Sequence, residues 1–137
     1  MIPWRGTIRA SAYAANQIPQ GNLPEIVIAG RSNVGKSSLI NALLGAKIAH
    51  VSGTPGKTRI INFFDVATRP PFCLVDLPGY GYAARSRTER CTWGVLIERY
   101  FSLRRALLAV QLVDFRHGLL ENDRQLEAFF EALELPV

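Results

Sequence analysis

Apolar positions in this 137-residue chain recur with two different periods. Ile26-Val27-Ile28-Ala29, Ile60 to Val66, Phe72-Cys73-Leu74-Val75 and Leu107 to Val113 are short apolar runs that predict strands, the first and last of them buried. Residues 36–44 predict a helix that stops at Gly45. Trp93, Leu96, Ile97, Tyr100 and Phe101 follow at i, i+3, i+4, i+7 and i+8, so they share one face of a second helix, and core packing is the natural role of its aromatics. Ser86-x-x-Glu89 reads as the capping box that opens it. Leu126, Phe129, Phe130 and Leu133 repeat the helical spacing near the end. The short link Ala67-Thr68-Arg69-Pro70-Pro71 predicts an antiparallel hairpin between the second and third strands. Residues 1–24, punctuated by Pro3, Pro19, Gly21 and Pro24, read as an extended N-terminal arm ahead of a domain over 25–137. Residues 46–59 read as a loop. Strand, helix, hairpin, helix, strand, helix is the order of a layered α/β domain whose ligand loops sit at the carboxyl ends of its strands.

Composition narrows the class. Hydrophobic residues make up 48% of the chain and charged residues 20%, enough for a core and unlike a disordered segment. No apolar run approaches the ~18 residues of a membrane span, and Met1-Ile2-Pro3-Trp4-Arg5 lacks a signal-peptide core, so a cytoplasmic protein without a membrane partner is expected. Cys73 and Cys91 lack disulfide or zinc-site spacing and read as free thiols. The net charge is +5, and it is unevenly spread. Arg85, Arg87, Arg90, Arg99, Arg104 and Arg105 crowd one segment, while Glu121, Asp123, Glu127, Glu131 and Glu134 mark the tail. The arginines suit a polyanion such as RNA, or equally a solvated helix face.

The strongest chemical signal is the loop between the first strand and the first helix. Gly30-Arg31-Ser32-Asn33-Val34-Gly35-Lys36-Ser37 is a Gly-x-x-x-x-Gly-Lys-Ser phosphate-binding loop, followed by Ser38. Its glycines let backbone N–H groups converge on an anion, and the helix opening at Lys36 adds its positive end. Lys36 is placed to reach the outer phosphates and Ser37 to hold Mg²⁺. Asp76, after a buried strand, suits the Mg²⁺ environment, often through water, and Gly79 can turn its N–H toward a terminal phosphate. Thr54 and Thr58 lie in the intervening loop, where a threonine that ligates Mg²⁺ only beside a γ-phosphate makes loop order depend on the nucleotide. Ras-like enzymes place Gln after Asp-x-x-Gly; here Tyr80 follows, which predicts slow unaided hydrolysis.

Gly30 to Asn41, Thr54-Pro55-Gly56-Lys57-Thr58, Ile61-Asn62-Phe63-Phe64, Asp76-Leu77-Pro78-Gly79-Tyr80-Gly81-Tyr82 and Asp114-x-Arg116-His117 together resemble the EngB (YihA/YsxC) family of bacterial GTPases, in order and spacing from about residue 8 onward. The resemblance implies a Ras-like P-loop GTPase fold, a three-layer sandwich around a mostly parallel sheet with one antiparallel hairpin. It implies a GTP- and GDP-binding protein with slow hydrolysis that assists assembly of the large ribosomal subunit and cell division or septation. By that match Gly30–Ser37, Gly56–Ile60 (Gly56, Lys57, Thr58, Arg59, Ile60) and Asp76–Gly79 (Asp76, Leu77, Pro78, Gly79) contact the nucleotide, and Ser37 and Thr58 are Mg²⁺ ligands. Lys36, Thr58 and Asn33 are the candidate catalytic residues. Related GTPases with Asn at the position of Asn33 use K⁺ to neutralise charge; the alternative is that Asn33 only shapes the loop.

The family's guanine-reading Asn/Thr-Lys-x-Asp segment does not occur in these residues. The chain ends at Leu135-Pro136-Val137, where the family's next strand begins, so the expectation is a shortened domain lacking the last strands and helix. Base discrimination should weaken. The strand at 107–113 should form an unpaired apolar edge, with reduced stability and a tendency to aggregate in a protein otherwise expected to be a monomer. Beside a GTPase switch acting on a precursor of the large ribosomal subunit and its RNA, two readings stay open: an RNA- or ribosome-binding module with weak nucleotide binding, and a P-loop ATPase or kinase.

Overall fold

The computed structural model describes residues 4–31, 34–45, 47–49, 60–80 and 87–137, with 87–93 described by their backbone alone. The described elements are β1 (Gly6–Ala12), β2 (Glu25–Gly30), α1 (Lys36–Leu44), β3 (Ile61–Val66), β4 (Phe72–Asp76), α2 (Arg87–Ser102), β5 (Ala106–Leu112) and α3 (Glu121–Ala132), with a short 3₁₀ turn at Ala15–Gln17. One sheet has the order β1-β3-β4-β2-β5. β2 pairs in parallel with β4 and β5, while β3 pairs antiparallel with β4 and with β1.

From β2 the chain passes through α1 and the hairpin to β4 on one side, then through α2 to β5 on the other. Right-handed crossovers in opposite directions put their helices on opposite faces. The core divides accordingly. Ile28, Phe64, Val66 and Leu74 pack with Ile40 and Leu44 of α1. Val27, Ala29, Phe63, Cys73 and Val75 pack with α2 and α3 through Leu96, Ile97, Tyr100, Phe101 and Phe130. The alternation Val27/Ile28 and Phe63/Phe64 assigns consecutive residues to opposite faces, as the pleat demands. Each fully buried Phe contributes roughly 1.5–3 kcal/mol. Helix α1 matches its predicted span and ends at Gly45, in left-handed geometry. The hairpin also forms where the short link predicted it.

Two expectations need correction. Residues 6–12 of the expected arm are a strand of the sheet: β1 pairs with all of β3, and Arg9 reaches Asp65 at 2.8 Å. The segment lacks apolar alternation because the outermost strand has little to bury: its burial rises only to intermediate until Ala12. Because β1 and β4 both run antiparallel to β3, the strands β1, β4, β2 and β5 share one direction and β3 alone opposes them, so the sheet is mostly parallel, as expected. Finally, β5 is not a buried strand throughout. It flanks β2 alone among the described strands, and Leu107 is 61% exposed. As the edge position implies, Leu108 and Val110 are exposed too, and the Ala109 N–H donates outward to the Pro136 carbonyl at 2.8 Å.

Candidate functional site

A sheet whose strand order reverses at β2 opens a crevice beyond the carboxyl end of that strand. Gly30, Asp76 and Leu112 end β2, β4 and β5 there. After Gly30 the chain turns, with Val34 N–H donating to the Arg31 carbonyl at 3.2 Å, and enters α1 through Gly35. Gly35 has φ +99°, a left-handed conformation that a side chain would strain. Gly30 is crowded: a Cβ there would lie 2.7 Å from a Val34 methyl and 3.3 Å from Leu112. Gly35 is therefore favoured by its backbone conformation and Gly30 by the side chains packed against it.

The second loop is stitched to the first. Leu77 N–H donates to the Ile28 carbonyl at 3.0 Å and Tyr80 N–H to the Gly30 carbonyl at 3.3 Å. Arg31 and Tyr80 form a parallel bridge beyond the end of β4. Within this corner the Lys36 ammonium, on the first residue of α1, is hydrogen-bonded and ion-paired to the Asp76 carboxylate. Both are nearly inaccessible, with 11% and 6% of their side chains exposed. Burial pushes the Asp76 carboxyl above its ordinary range, and Lys36 and Asn62 pull it partly back. Asn62 stands opposite Asp76 in the hairpin and in turn accepts from the Ser11 hydroxyl at 2.7 Å. A row of polar side chains thus crosses β1, β3 and β4 to the lysine.

Of the predicted site residues, Gly30, Arg31, Val34, Gly35, Lys36, Ser37 and Ser38 lie on the β2–α1 connection and the first turn of α1. Asp76, Leu77, Pro78 and Gly79 lie beside it, with Leu77 and Pro78 buried. Ile60 stands just before β3. Ser32, Asn33, Thr54, Gly56, Lys57, Thr58 and Arg59 lie outside the described residues, as do Gly81, Tyr82, Arg85 and Ser86.

Can this corner take a phosphate and Mg²⁺? A desolvated ammonium at the amino end of a helix, beside a turn where a Cβ would collide, fits an anion. The Ser37 hydroxyl position and the Asp76 carboxylate are hard oxygen donors, the kind Mg²⁺ selects. Among the described residues no cluster of three or more His, Cys, Asp or Glu offers a site for a more fully protein-coordinated ion. Mg²⁺ takes few protein ligands and completes its shell with phosphate and water. The residues present fit both groups.

The family model described as 50S ribosome-binding GTPase matches residues 25–137. The chain belongs to this GTPase family, on its EngB branch. A probable GTP-binding protein EngB from Streptococcus equi subsp. equi is 50% identical over 133 residues, 96% of this chain and 66% of that protein. The chain thus spans just under two thirds of the curated relatives it matches. A crystal structure of a probable GTP-binding protein engB superposes with TM-score 0.63 at 27% identity, covering 82% of this chain and 66% of that one. Era bound to MgGDPNP and nucleotides 1506–1542 of 16S ribosomal RNA superposes with TM-score 0.65 at 28% identity, covering 83% of this chain and 38% of that one.

The arginine-rich segment is less uniform than its sequence suggests. Arg99 and Arg104 are exposed, but Arg105 turns inward. Its guanidinium bonds the Pro19 carbonyl at 2.7 Å, pairs with buried Glu25 at 3.2 Å and lies over the Tyr100 ring. Arg105 is therefore removed from any RNA-facing set. Asp123, one of the acids that mark the tail, is 1% exposed. One oxygen accepts from Leu120 N–H at 2.9 Å and the other from the Tyr80 hydroxyl at 2.7 Å. Its position in the first turn of α3, three residues after Leu120, was the available signal, since an acid there can cap the helix. Asn62 had no comparable signal, because its role comes from strand register.

Proposed function

We propose that this chain binds GTP and GDP with Mg²⁺, hydrolyses GTP slowly without a partner, and takes part in assembling the large ribosomal subunit in the cytoplasm. The carrying observation is the buried Lys36–Asp76 pair at the meeting of two strand ends and a helix amino terminus. An ammonium already desolvated exchanges one anionic partner for another, Asp76 for phosphate, at little further cost. Gly30, Arg31, Ser32, Asn33, Val34, Gly35 and Ser38 would line the phosphates, with Gly56 to Ile60 and Asp76 to Gly79 closing the other side. Ser37 and Thr58 would hold Mg²⁺ directly and Asp76 through water; that ion would neutralise phosphate charge.

In the reaction, water oxygen bonds to the γ-phosphorus while the bond to the β-phosphate oxygen breaks. The water proton leaves to solvent or phosphate, and GDP keeps the bridging electron pair. Lys36 offsets negative charge that grows on the leaving oxygen. Tyr80 does not orient the water, because its hydroxyl is engaged by Asp123 and Gln111. Turnover without a partner is expected at or below the order of 10⁻⁴ s⁻¹. Comparing turnover in K⁺ and Na⁺ tests Asn33: equal rates leave it a loop-shaping role.

Titration with fluorescent GTP, GDP and ATP in Mg²⁺ tests the reading. Nucleotide binding that Lys36→Ala abolishes supports it; binding unaffected by that change overturns it. The ribosomal part draws on the family's description and on the Era–RNA complex. Association with large-subunit precursors that responds to GTP and not to GDP is the expected result, and RNA binding indifferent to nucleotide would favour a plain binding module. A role in cell division or septation follows the same resemblance, to be checked by depletion.

A further inference from the structure

Tyr80 joins three parts of the fold. Its backbone is tied to the β2–α1 turn through the Gly30 carbonyl and the Arg31 bridge. Its hydroxyl donates to Asp123 Oδ1 at 2.7 Å and accepts from Gln111 Nε2 at 3.2 Å. Gln111 belongs to β5 and also donates to the Asp123 carbonyl at 2.8 Å. Asp123 is fixed by the Leu120 N–H that it caps. Burial, then the Asp123 bond, raises the hydroxyl well above its ordinary range, so it stays a proton donor.

Among the described residues, one side of the ring faces open space. Tyr80 borders an open cavity of about 260 Å³ between α2 and α3, lined also by Gly94, Ile97, Leu126 and Phe129. A Cβ added to Gly94 would meet nothing within 4 Å. A ring beside such space is held by the hydrogen bonds at its tip more than by neighbouring carbon.

We propose that Tyr80 is a positioning residue, whose latch onto Asp123 and Gln111 holds the Asp76–Gly79 loop ready for a terminal phosphate. The inference rests on the nucleotide reading above. Gly79 is one peptide from the latched residue, so freedom in the Tyr80 ring becomes freedom in the loop. A preformed loop loses less entropy when a γ-phosphate orders it. GDP, which has no γ-phosphate, makes no use of that order.

The test compares Tyr80→Phe and Gln111→Leu with the unaltered chain. Dissociation constants are measured for GDP and for a non-hydrolysable GTP analogue, both with Mg²⁺. Tyr80→Phe should weaken the analogue at least fivefold and leave GDP within twofold. Gln111→Leu should shift the same ratio in the same direction by a smaller factor. Equal losses for both nucleotides, the mark of a merely structural role, or an unchanged ratio would overturn the proposal. Hydrogen exchange without nucleotide gives an independent readout. Tyr80→Phe should speed exchange of the Leu77 and Tyr80 amides at least tenfold and leave that of Val27 unchanged; unchanged loop amides, or uniform acceleration, would sink the latch. A chain that binds neither nucleotide defeats the nucleotide reading, while the exchange result still judges the latch.

Discussion

Two buried carboxylates stand at opposite ends of the central strands, and they are held differently. Glu25 opens β2 at the amino end of the sheet and is 2% exposed. It accepts from the Tyr100 hydroxyl at 2.6 Å and pairs with Arg105, itself anchored to the Pro19 carbonyl and the Tyr100 ring. Asp76 closes β4 at the carboxyl end, and its cation is Lys36, at the mouth of a phosphate-type turn. Around Glu25 every partner is itself fixed, so the cluster locks the N-terminal segment, α2 and β5 together. Around Asp76 the cation stands where another anion can claim it. The same expensive group, a desolvated carboxylate, serves rigidity at one end and, on the proposed nucleotide reading, exchange at the other.

The largest test of this contrast is binding. Lys36→Ala should cut nucleotide affinity at least a hundredfold in fluorescence titrations, on the scale of one lost charge-assisted contact, whereas Glu25→Gln should leave it within about twofold. Stability should separate the clusters next. Arg105→Ala leaves Glu25 buried without a cation and should cost about 3 kcal/mol in urea unfolding. Removing both members at the other end, Lys36→Met with Asp76→Asn, should cost less than Lys36→Met alone, because no charge is left stranded.

A smaller effect concerns Cys73, between the two ends on β4. Burial, followed by the charges of Glu25 and Asp65, pushes its thiol from 9.0 up to about 12. The folded state therefore holds a proton that the unfolded chain releases first. Stability from this group is complete below pH 9 and is lost as pH rises toward 12. Melting temperature should fall across that window, and Cys73→Ala should fall less. The smallest expected change is at the surface. Arg99→Ala with Arg104→Ala should leave unfolding within about 0.5 kcal/mol, yet lower any RNA affinity and flatten its salt dependence. An unchanged salt slope would remove these arginines from an RNA-binding surface.

Much of the fold was legible because its signals are local. Helix α1 was marked by the Gly-Lys-Ser turn and by Gly45, and the hairpin by its short link. The faces of α2 and α3 followed from aromatic spacing. What escaped were features defined by partners distant in sequence. Gly6–Ala12 carries no strand periodicity of its own and becomes a strand because β3 offers it a ladder. Arg105 and Asp123 read only as members of a basic segment and an acidic tail until Glu25 and Tyr80, each more than 40 residues away, met them.

By itself, the sequence determined the phosphate-type turn, the positions of Lys36, Ser37, Asp76 and Gly79, and the layered class of fold. Glycine geometry, helix ends and side-chain periodicity are written in neighbouring residues. Tertiary structure alone decided which acids are desolvated and which cation each one keeps. It paired Lys36 with Asp76, Arg105 with Glu25, and the Tyr80 hydroxyl with Asp123. Burial and charge pairing depend on what the rest of the chain places within a few ångströms, which no stretch of sequence contains.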